Sequence, residues 1–157
     1  MLRVFHIKFV ASSGARELFM TRFIVAYMAA AIVFLAMDAV WLSQMADRLY
    51  RPALGDLMIQ SFRPAPAVIF YLIYVLGMVA LAIAPAMRDG NWHAAALNGA
   101  MYGFFCYATY DLSNQATLKQ WSTTLTVVDM AWGTIASCVT ATAGYAAATW
   151  FAPKAGG

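Results

Sequence analysis

The sequence predicts an all-α integral membrane protein, a four-helix bundle with short loops, from its composition and from the length of its apolar segments. Of its 157 residues 63% are hydrophobic and 11% are charged, whereas roughly a quarter of the residues in a soluble domain are charged. Four apolar segments are each about twenty residues or longer, and at about 1.5 Å per residue such a helix crosses a hydrocarbon core of about 30 Å. Most of the chain is therefore expected to lie in lipid, which leaves no room for a soluble catalytic domain.

Polar breaks divide these segments into four predicted spans. A polar connection covers residues 43–63, and the prolines at 64 and 66 open the next helix, since proline is tolerated in a first helical turn. The turn MRDGN at 87–91 makes the second and third helices antiparallel neighbours. The predicted spans are residues 23–42, 65–86, 92–113 and 125–151, all within one domain that covers residues 20–157.

Residues 1–19 are predicted to be an N-terminal tail outside this domain. His6, Lys8 and Arg16 interrupt any continuous hydrophobic region, so no cleavable signal peptide is expected. Met20 stands just before the first apolar run and is the alternative translational start.

Basic residues in loops and tails predict the orientation, because Lys and Arg are retained on the cytoplasmic side. With the N-terminus inside, six of the ten basic residues lie there, namely Arg3, Lys8, Arg16, Arg22, Arg88 and Lys154. Both termini are therefore expected to be cytoplasmic. The basic residues form no stripe with interleaved aromatics, so the lipid bilayer is the expected partner and nucleic acid is not.

Three aspartates are the most informative feature of the predicted spans. Because successive spans alternate in direction, Asp38, Asp111 and Asp129 should lie at the same membrane face. An unpaired carboxylate at a helix centre costs about 2.5–3.5 kcal/mol on insertion scales, so these side chains should face each other or water.

Neighbouring polar and aromatic residues extend this cluster into a candidate pocket for a proton, a cation or a polar headgroup. Each of two aspartates is followed by a tryptophan three residues later, on the same helical face. Asn114 lies close to one turn beyond Asp111, and Lys119 is a candidate counter-ion. The candidate site residues are Asp38, Trp41, Asp111, Asn114, Lys119, Asp129 and Trp132. The alternative is a structural network of helix caps, interhelical hydrogen bonds and an aromatic belt.

Small residues at four-residue spacing indicate close helix packing. They are Gly99 and Gly103 in the third span, and Ala136, Thr140, Gly144 and Ala148 in the fourth. Such a stripe closes the protein's own bundle or docks against a second copy or another membrane subunit. Tyr71 and Tyr74 are interpreted as filling the bundle.

Other chemistries have little support in the sequence. Cys106 and Cys138 lie inside apolar spans and are interpreted as packing residues. His6 lies in the tail and His93 at the opposite face from the aspartates, so no Ser-His-Asp set can assemble. No zinc-binding motif is present and no cofactor is indicated, while a carboxylate site favours a proton or a hard cation such as Mg²⁺ or Ca²⁺.

Three motifs in chain order carry a family resemblance. They are DAVWL at 38–42, YDLSN with ATLKQW over 110–121, and VDMAWG at 128–133. With them the chain, from about residue 20 to 151, resembles an uncharacterised bacterial family of predicted membrane proteins, classed as a domain of unknown function. The resemblance implies a compact bundle with the seven candidate site residues at recurring motif positions, and it implies no activity, substrate or cofactor. The bacterial cytoplasmic (inner) membrane is the expected location.

Three classes of function remain open. The first is a small binding or transport-related protein that uses the acidic-aromatic pocket. The second is an accessory or scaffold subunit of a larger membrane complex, for which the small-residue stripe is the working surface. The third is a membrane enzyme that acts on a lipid-soluble substrate, with one aspartate as general acid or base and Lys119 or Arg51 steering a headgroup.

Overall fold

The computed structural model describes the backbone of residues 2–59 and 61–151 and the side chains of residues 14–59 and 61–151. Within these ranges the chain is helical and has no strand. Its four long helices are α1 Leu2–Met45, α2 Pro64–Asp89, α3 Trp92–Thr117 and α4 Thr123–Trp150. The predicted fold class, an all-α bundle of four helices, is confirmed. The side chains of His6, Arg3, Lys8 and Lys154 lie outside the described ranges.

The described residues contain three helices that are long and apolar enough to cross a membrane, namely Gly14–Leu57, Pro64–Asp89 and Thr123–Trp150. Helix α3 contains the predicted third span, 92–113, and its 26 residues extend over roughly 39 Å. It is less apolar than the other three because it carries His93, Asn98 and Asp111 among its small residues. Length therefore suits α3 to the bundle, and large apolar side chains, Leu97, Phe105 and Leu112 among them, are exposed on its outer side.

The first helix is longer at both ends than the predicted span. Residues 2–19, predicted as a tail, form the first turns of α1. Beyond Met45 the chain continues through a π-helical turn at Ala46–Tyr50, a short helix at Arg51–Leu54 and a 3₁₀ turn at Gly55–Leu57. Much of the predicted polar connection is therefore helical, and this extension carries Tyr50 back toward the bundle.

Both π-helical turns precede a proline. Ala46–Tyr50 lies just before Pro52, and Val79–Ile83 within α2 lies just before Pro85. A proline has no N–H and its ring clashes with the carbonyl four residues earlier, so a wider turn lets each helix continue past it. The sequence therefore determines where both helices widen.

Glycines bring α3 and α4 into close contact. A Cβ on Gly99 would lie 2.6 Å from the carbonyl oxygen of Ser137, and a Cβ on Gly103 would overlap the carbonyl oxygen of Gly133. On the other side of α4, a Cβ on Gly144 would lie 3.2 Å from the carbonyl oxygen of Ala26 in α1. Helix α4 is thus the central helix, with α3 on one side and α1 on the other.

The remaining small residues predicted to mediate packing are also inside this chain. Ala136, Thr140 and Ala148 are fully buried on α4. The larger buried side chains around them are Phe34, Val75, Met78 and Ile83. The small-residue stripe is consequently covered by the protein's own helices.

A tight turn joins α2 to α3, as the sequence predicts. Gly90 ends α2 with a φ of 62°, in the left-handed region that glycine adopts at little cost. The side chain of Asn91 then accepts a hydrogen bond from the backbone N–H of His93 at 3.0 Å and caps α3. The two helices therefore return antiparallel.

Candidate functional site

The two tryptophans of the candidate site stack at the contact between α1 and α4. The ring centroids of Trp41 and Trp132 are 4.3 Å apart and the ring planes differ by 6°. This parallel contact fixes the two Asp-x-x-Trp segments against each other. Each indole N–H then donates toward the other segment, one directly and the other through a tyrosine.

Asp38 on α1 is buried and receives two hydrogen bonds from other helices. The Tyr71 hydroxyl of α2 donates a hydrogen bond to Oδ2, and the indole N–H of Trp132 donates to Oδ1 at 3.4 Å. Only 8% of Asp38 is exposed. The carboxylate thus connects α1 to α2 and to α4.

Asp129 on α4 is held by a relay from the extension of α1. The indole N–H of Trp41 donates to the Tyr50 hydroxyl at 2.9 Å, and that hydroxyl donates to Oδ1 of Asp129 at 2.6 Å. Asp129 is 6% exposed. The π-helical turn that ends at Tyr50 therefore has a direct role, because it positions this hydroxyl over the carboxylate.

Asp111 on α3 differs from the other two aspartates. It is fully buried, and neither carboxylate oxygen has a hydrogen-bond partner among the described residues. Lys119 was predicted to be the counter-ion of Asp111, and this prediction is wrong. Lys119 is exposed on the chain segment after α3, and among the described residues it forms no ion pair. Asn114 is half-buried one turn further along α3.

The three carboxylates form a chain of neighbours with Asp129 in the middle. Trp132, three residues after Asp129, donates to Asp38. Tyr107, four residues before Asp111, packs on Gly133, four residues after Asp129. The ion pair that the described side chains form, Arg51 with Asp47 at 3.0 Å, is exposed and separate from this chain. No group of three His, Cys, Asp or Glu side chains among the described residues is arranged to hold a metal ion. The aspartates are therefore adjacent without converging on one point.

An aromatic cleft of about 300 Å³ reaches Asp129. Its walls come from α2 and α3, and its lining residues are Phe70, Tyr74, Cys106, Tyr107, Tyr110 and Asp129. Tyr107 packs against the backbone of Gly133, where a Cβ would overlap the tyrosine ring. The glycine that ends the VDMAWG motif thus leaves space for the Tyr107 ring, one wall of the cleft.

A second set of contacts holds Tyr74, one of the lining residues of the cleft, in position. The hydroxyls of Tyr74 and Ser137 are hydrogen-bonded at 2.7 Å, and the Tyr102 hydroxyl donates to the carbonyl oxygen of Tyr74 at 3.0 Å. Phe34 stacks on the Tyr74 ring with centroids 4.8 Å apart. Tyr74 is therefore held on its face, its hydroxyl and its backbone.

The structure thus brings together Asp38, Trp41, Asp129 and Trp132, with Asp111 adjacent, and leaves Lys119 outside. Sequence reasoning missed Tyr50, Tyr71 and the aromatic cleft. Tyr71 and Tyr74 have the same three-residue spacing as the Asp-x-x-Trp pairs, which was the available signal for α2. Tyr50 had no such signal because it lies in a segment with the polarity of a loop.

Fold and site together define a helical membrane protein with a buried acidic cluster beside an aromatic cleft. The chain belongs to the family described as Predicted membrane protein (DUF2177), whose family model matches residues 23–146. The family resemblance drawn from the three motifs is thereby confirmed. No curated protein and no solved structure gives a significant match to the chain.

Proposed function

We propose that this protein is a small binding or transport-related membrane protein that holds a proton, a cation or a polar headgroup in the acidic-aromatic pocket around Asp38, Asp111 and Asp129. The observation that carries the proposal is the absence of any cationic partner for these three buried carboxylates among the described residues. A buried charge is strongly unfavourable unless it is paired and hydrogen-bonded. A proton or a bound cation supplies the missing compensation.

The three carboxylates differ in how fully their oxygens are hydrogen-bonded. Tyrosine and tryptophan donors already satisfy part of the hydrogen-bonding capacity of Asp38 and Asp129. Asp111 has no such donor, so it is the group with most to gain from a proton or a cation. Asp129 connects it to the cleft, which gives the buried pair a route to the outside of the bundle.

The orientation predicted from the basic residues implies on which side of the membrane the pocket lies. If the N-terminus is cytoplasmic, α1 ends at the outer face, and the extension that carries Tyr50 lies there with the three aspartates. In the bacterial cytoplasmic membrane this is the face toward the cell exterior. The pocket would then receive its ligand from the outer leaflet.

The test is the thermal unfolding midpoint of purified protein in detergent between pH 5 and pH 9, with and without Mg²⁺, Ca²⁺ or an organic ammonium ion. Binding to the native state raises the midpoint. We expect the wild-type midpoint to change with at least one of these ligands, protons included. Asp111→Asn and Asp129→Asn should remain folded and lose most of that change.

The matched control is Asp47→Asn. Asp47 is an exposed carboxylate in an ion pair with Arg51, so its loss should leave the ligand response intact. The proposal is overturned if the wild type and all Asn variants respond alike, because the response would then not come from the buried carboxylates.

A further inference from the structure

We propose that the aromatic cleft binds the ammonium headgroup of an amphiphilic organic cation, which reaches it sideways from the bilayer between α2 and α3. This inference rests on the proposed function and names the class of ligand. The cleft has three properties that such a ligand matches: its chemistry, its size and the side on which it opens.

The chemistry of the walls favours an organic cation. Four of the lining side chains are aromatic, namely Phe70, Tyr74, Tyr107 and Tyr110, and the charged side chain among the lining residues is Asp129. Aromatic faces attract ammonium groups, most strongly where water is excluded. A carboxylate at the inner end supplies the opposite charge. The lining contains no basic side chain to attract a phosphate or a carboxylate ligand.

The same lining disfavours an inorganic divalent cation. Mg²⁺ and Ca²⁺ need six or more oxygen ligands around one point. The cleft offers one carboxylate, and no cluster of three acidic, His or Cys side chains exists among the described residues. An ammonium group with methyl or methylene substituents has a smaller desolvation cost and fits aromatic carbon.

The volume indicates a headgroup and not a whole lipid. About 300 Å³ lies at the small end of the range for ligand pockets. The rest of an amphiphile must therefore stay outside the cleft, which suits an alkyl chain that remains in the bilayer.

The exposure of the walls indicates access from the side. Phe70 is 44% exposed and Tyr110 is 59% exposed, while Asp129 is buried. Two rings thus stand at the outer surface of the bundle and the carboxylate lies behind them. Asp129 lies six residues into α4, roughly 9 Å along its axis. If α4 begins at the membrane surface, this is the depth at which a headgroup meets the acyl region. Tyr110 also contacts Trp121, at 5.9 Å between ring centroids, as expected for aromatics at a membrane interface.

The experiment is equilibrium binding to the full chain in lipid nanodiscs. The probe is decyltrimethylammonium, with decanol as the neutral probe of equal chain length and tetramethylammonium as the headgroup alone. We expect saturable binding of decyltrimethylammonium that Asp129→Asn weakens on the order of tenfold or more. Phe70→Ala should weaken it by about two- to tenfold through the lost aromatic face.

Two control variants match these changes. Asp47→Asn removes an exposed carboxylate outside the cleft, and Phe104→Ala removes an aromatic ring that is 43% exposed on α3 and does not line the cleft. Both should bind the probe as the wild type does. Phe70→Ala removes a half-exposed side chain, so it keeps the test decisive if Asp129→Asn fails to fold.

The outcomes separate this inference from the proposed function. Equal binding of decanol, or unchanged affinity in both Asp129→Asn and Phe70→Ala, overturns the ammonium assignment. If the wild type ignores decyltrimethylammonium but is stabilised through its aspartates by protons or Mg²⁺, the proposed function stands and the inference falls. If none of these ligands affects the wild type, both fall.

Discussion

Replacing Gly133 by alanine should displace Tyr107 and so deform the wall of the cleft. A Cβ at this position would lie 2.6 Å from Cε2 of Tyr107 and closer still to other ring atoms. Because carbon atoms pack at about 3.5–4.0 Å, the ring or the helix must move by about 1 Å. Overpacking of this kind costs about 1–3 kcal/mol. Alanine is about 1 kcal/mol better than glycine in a helix, so the net loss of stability should be up to about 2 kcal/mol.

The assay is the free energy of unfolding in mixed detergent micelles for a double-mutant cycle. In a Tyr107→Ala background the ring that the new Cβ would overlap is absent. Gly133→Ala should then be neutral or stabilising by up to about 1 kcal/mol. The two substitutions should therefore couple by at least about 1 kcal/mol. Gly14→Ala is the control, because a Cβ there meets no atom within 4 Å and only the gain in helix propensity remains. Additive effects at Gly133 and Tyr107 would refute this reasoning.

The hydrogen bonds of the site give two further predictions. Tyr50→Phe removes the hydroxyl that links the Trp41 indole to the Asp129 carboxylate, and it should destabilise the protein by about 1–3 kcal/mol. The control Tyr27→Phe removes a 3.4 Å hydrogen bond near the surface and should cost at most about 0.5 kcal/mol. Equal losses of the free energy of unfolding, measured by chemical unfolding, would contradict the relay from Trp41 to Asp129. Asp38→Asn should destabilise by about 1–3 kcal/mol, because the two donors bind different carboxylate oxygens and the amide keeps only one of these acceptors. Asp111→Asn loses no hydrogen bond and should leave stability equal or higher. A larger loss of stability in Asp111→Asn than in Asp38→Asn, in the same assay, would contradict the absence of hydrogen-bond partners at Asp111.

The grouping of the aspartates could be predicted from the sequence because it depends on simple geometry. Helices of about twenty apolar residues alternate in direction, so Asp38, Asp111 and Asp129 had to reach one face. The cost of a charge in lipid then required them to turn inward, and all three are buried. The identity of the family followed from three short motifs in order.

The donors that hold these carboxylates were not predictable in the same way. Tyr50 lies between charged residues and before Pro52, a pattern typical of a loop, and only the π-helical turn returns its hydroxyl to Asp129. Tyr71 looked like packing because an aromatic residue at a helical spacing has no visible partner until the helices are placed. Lys119 is the reverse case, a residue that was predicted to belong to the site and lies outside it. It is close to Asp111 in sequence, but it lies on an exposed segment in the structure.

The cleft could not be predicted from the sequence because side chains from three different helices form it together. Its walls come from α2 and α3, its inner end from α4, and the room for Tyr107 from a glycine on α4. No periodicity within one helix encodes such a space. Only the packing of the helices, set by their small residues, determines it.

The most direct test of the acidic-aromatic pocket is the rate at which Cys106 is alkylated in nanodiscs, with and without decyltrimethylammonium. Cys106 lines the cleft and is half-buried, and Cys138 lies on α4 outside the lining. Single-cysteine chains, made with Cys138→Ala or Cys106→Ala, report on the two positions separately. We expect the ligand to slow alkylation of Cys106 several-fold, to leave Cys138 unchanged, and to lose its effect in Asp129→Asn. Equal rates at Cys106 with and without ligand would contradict occupation of the cleft.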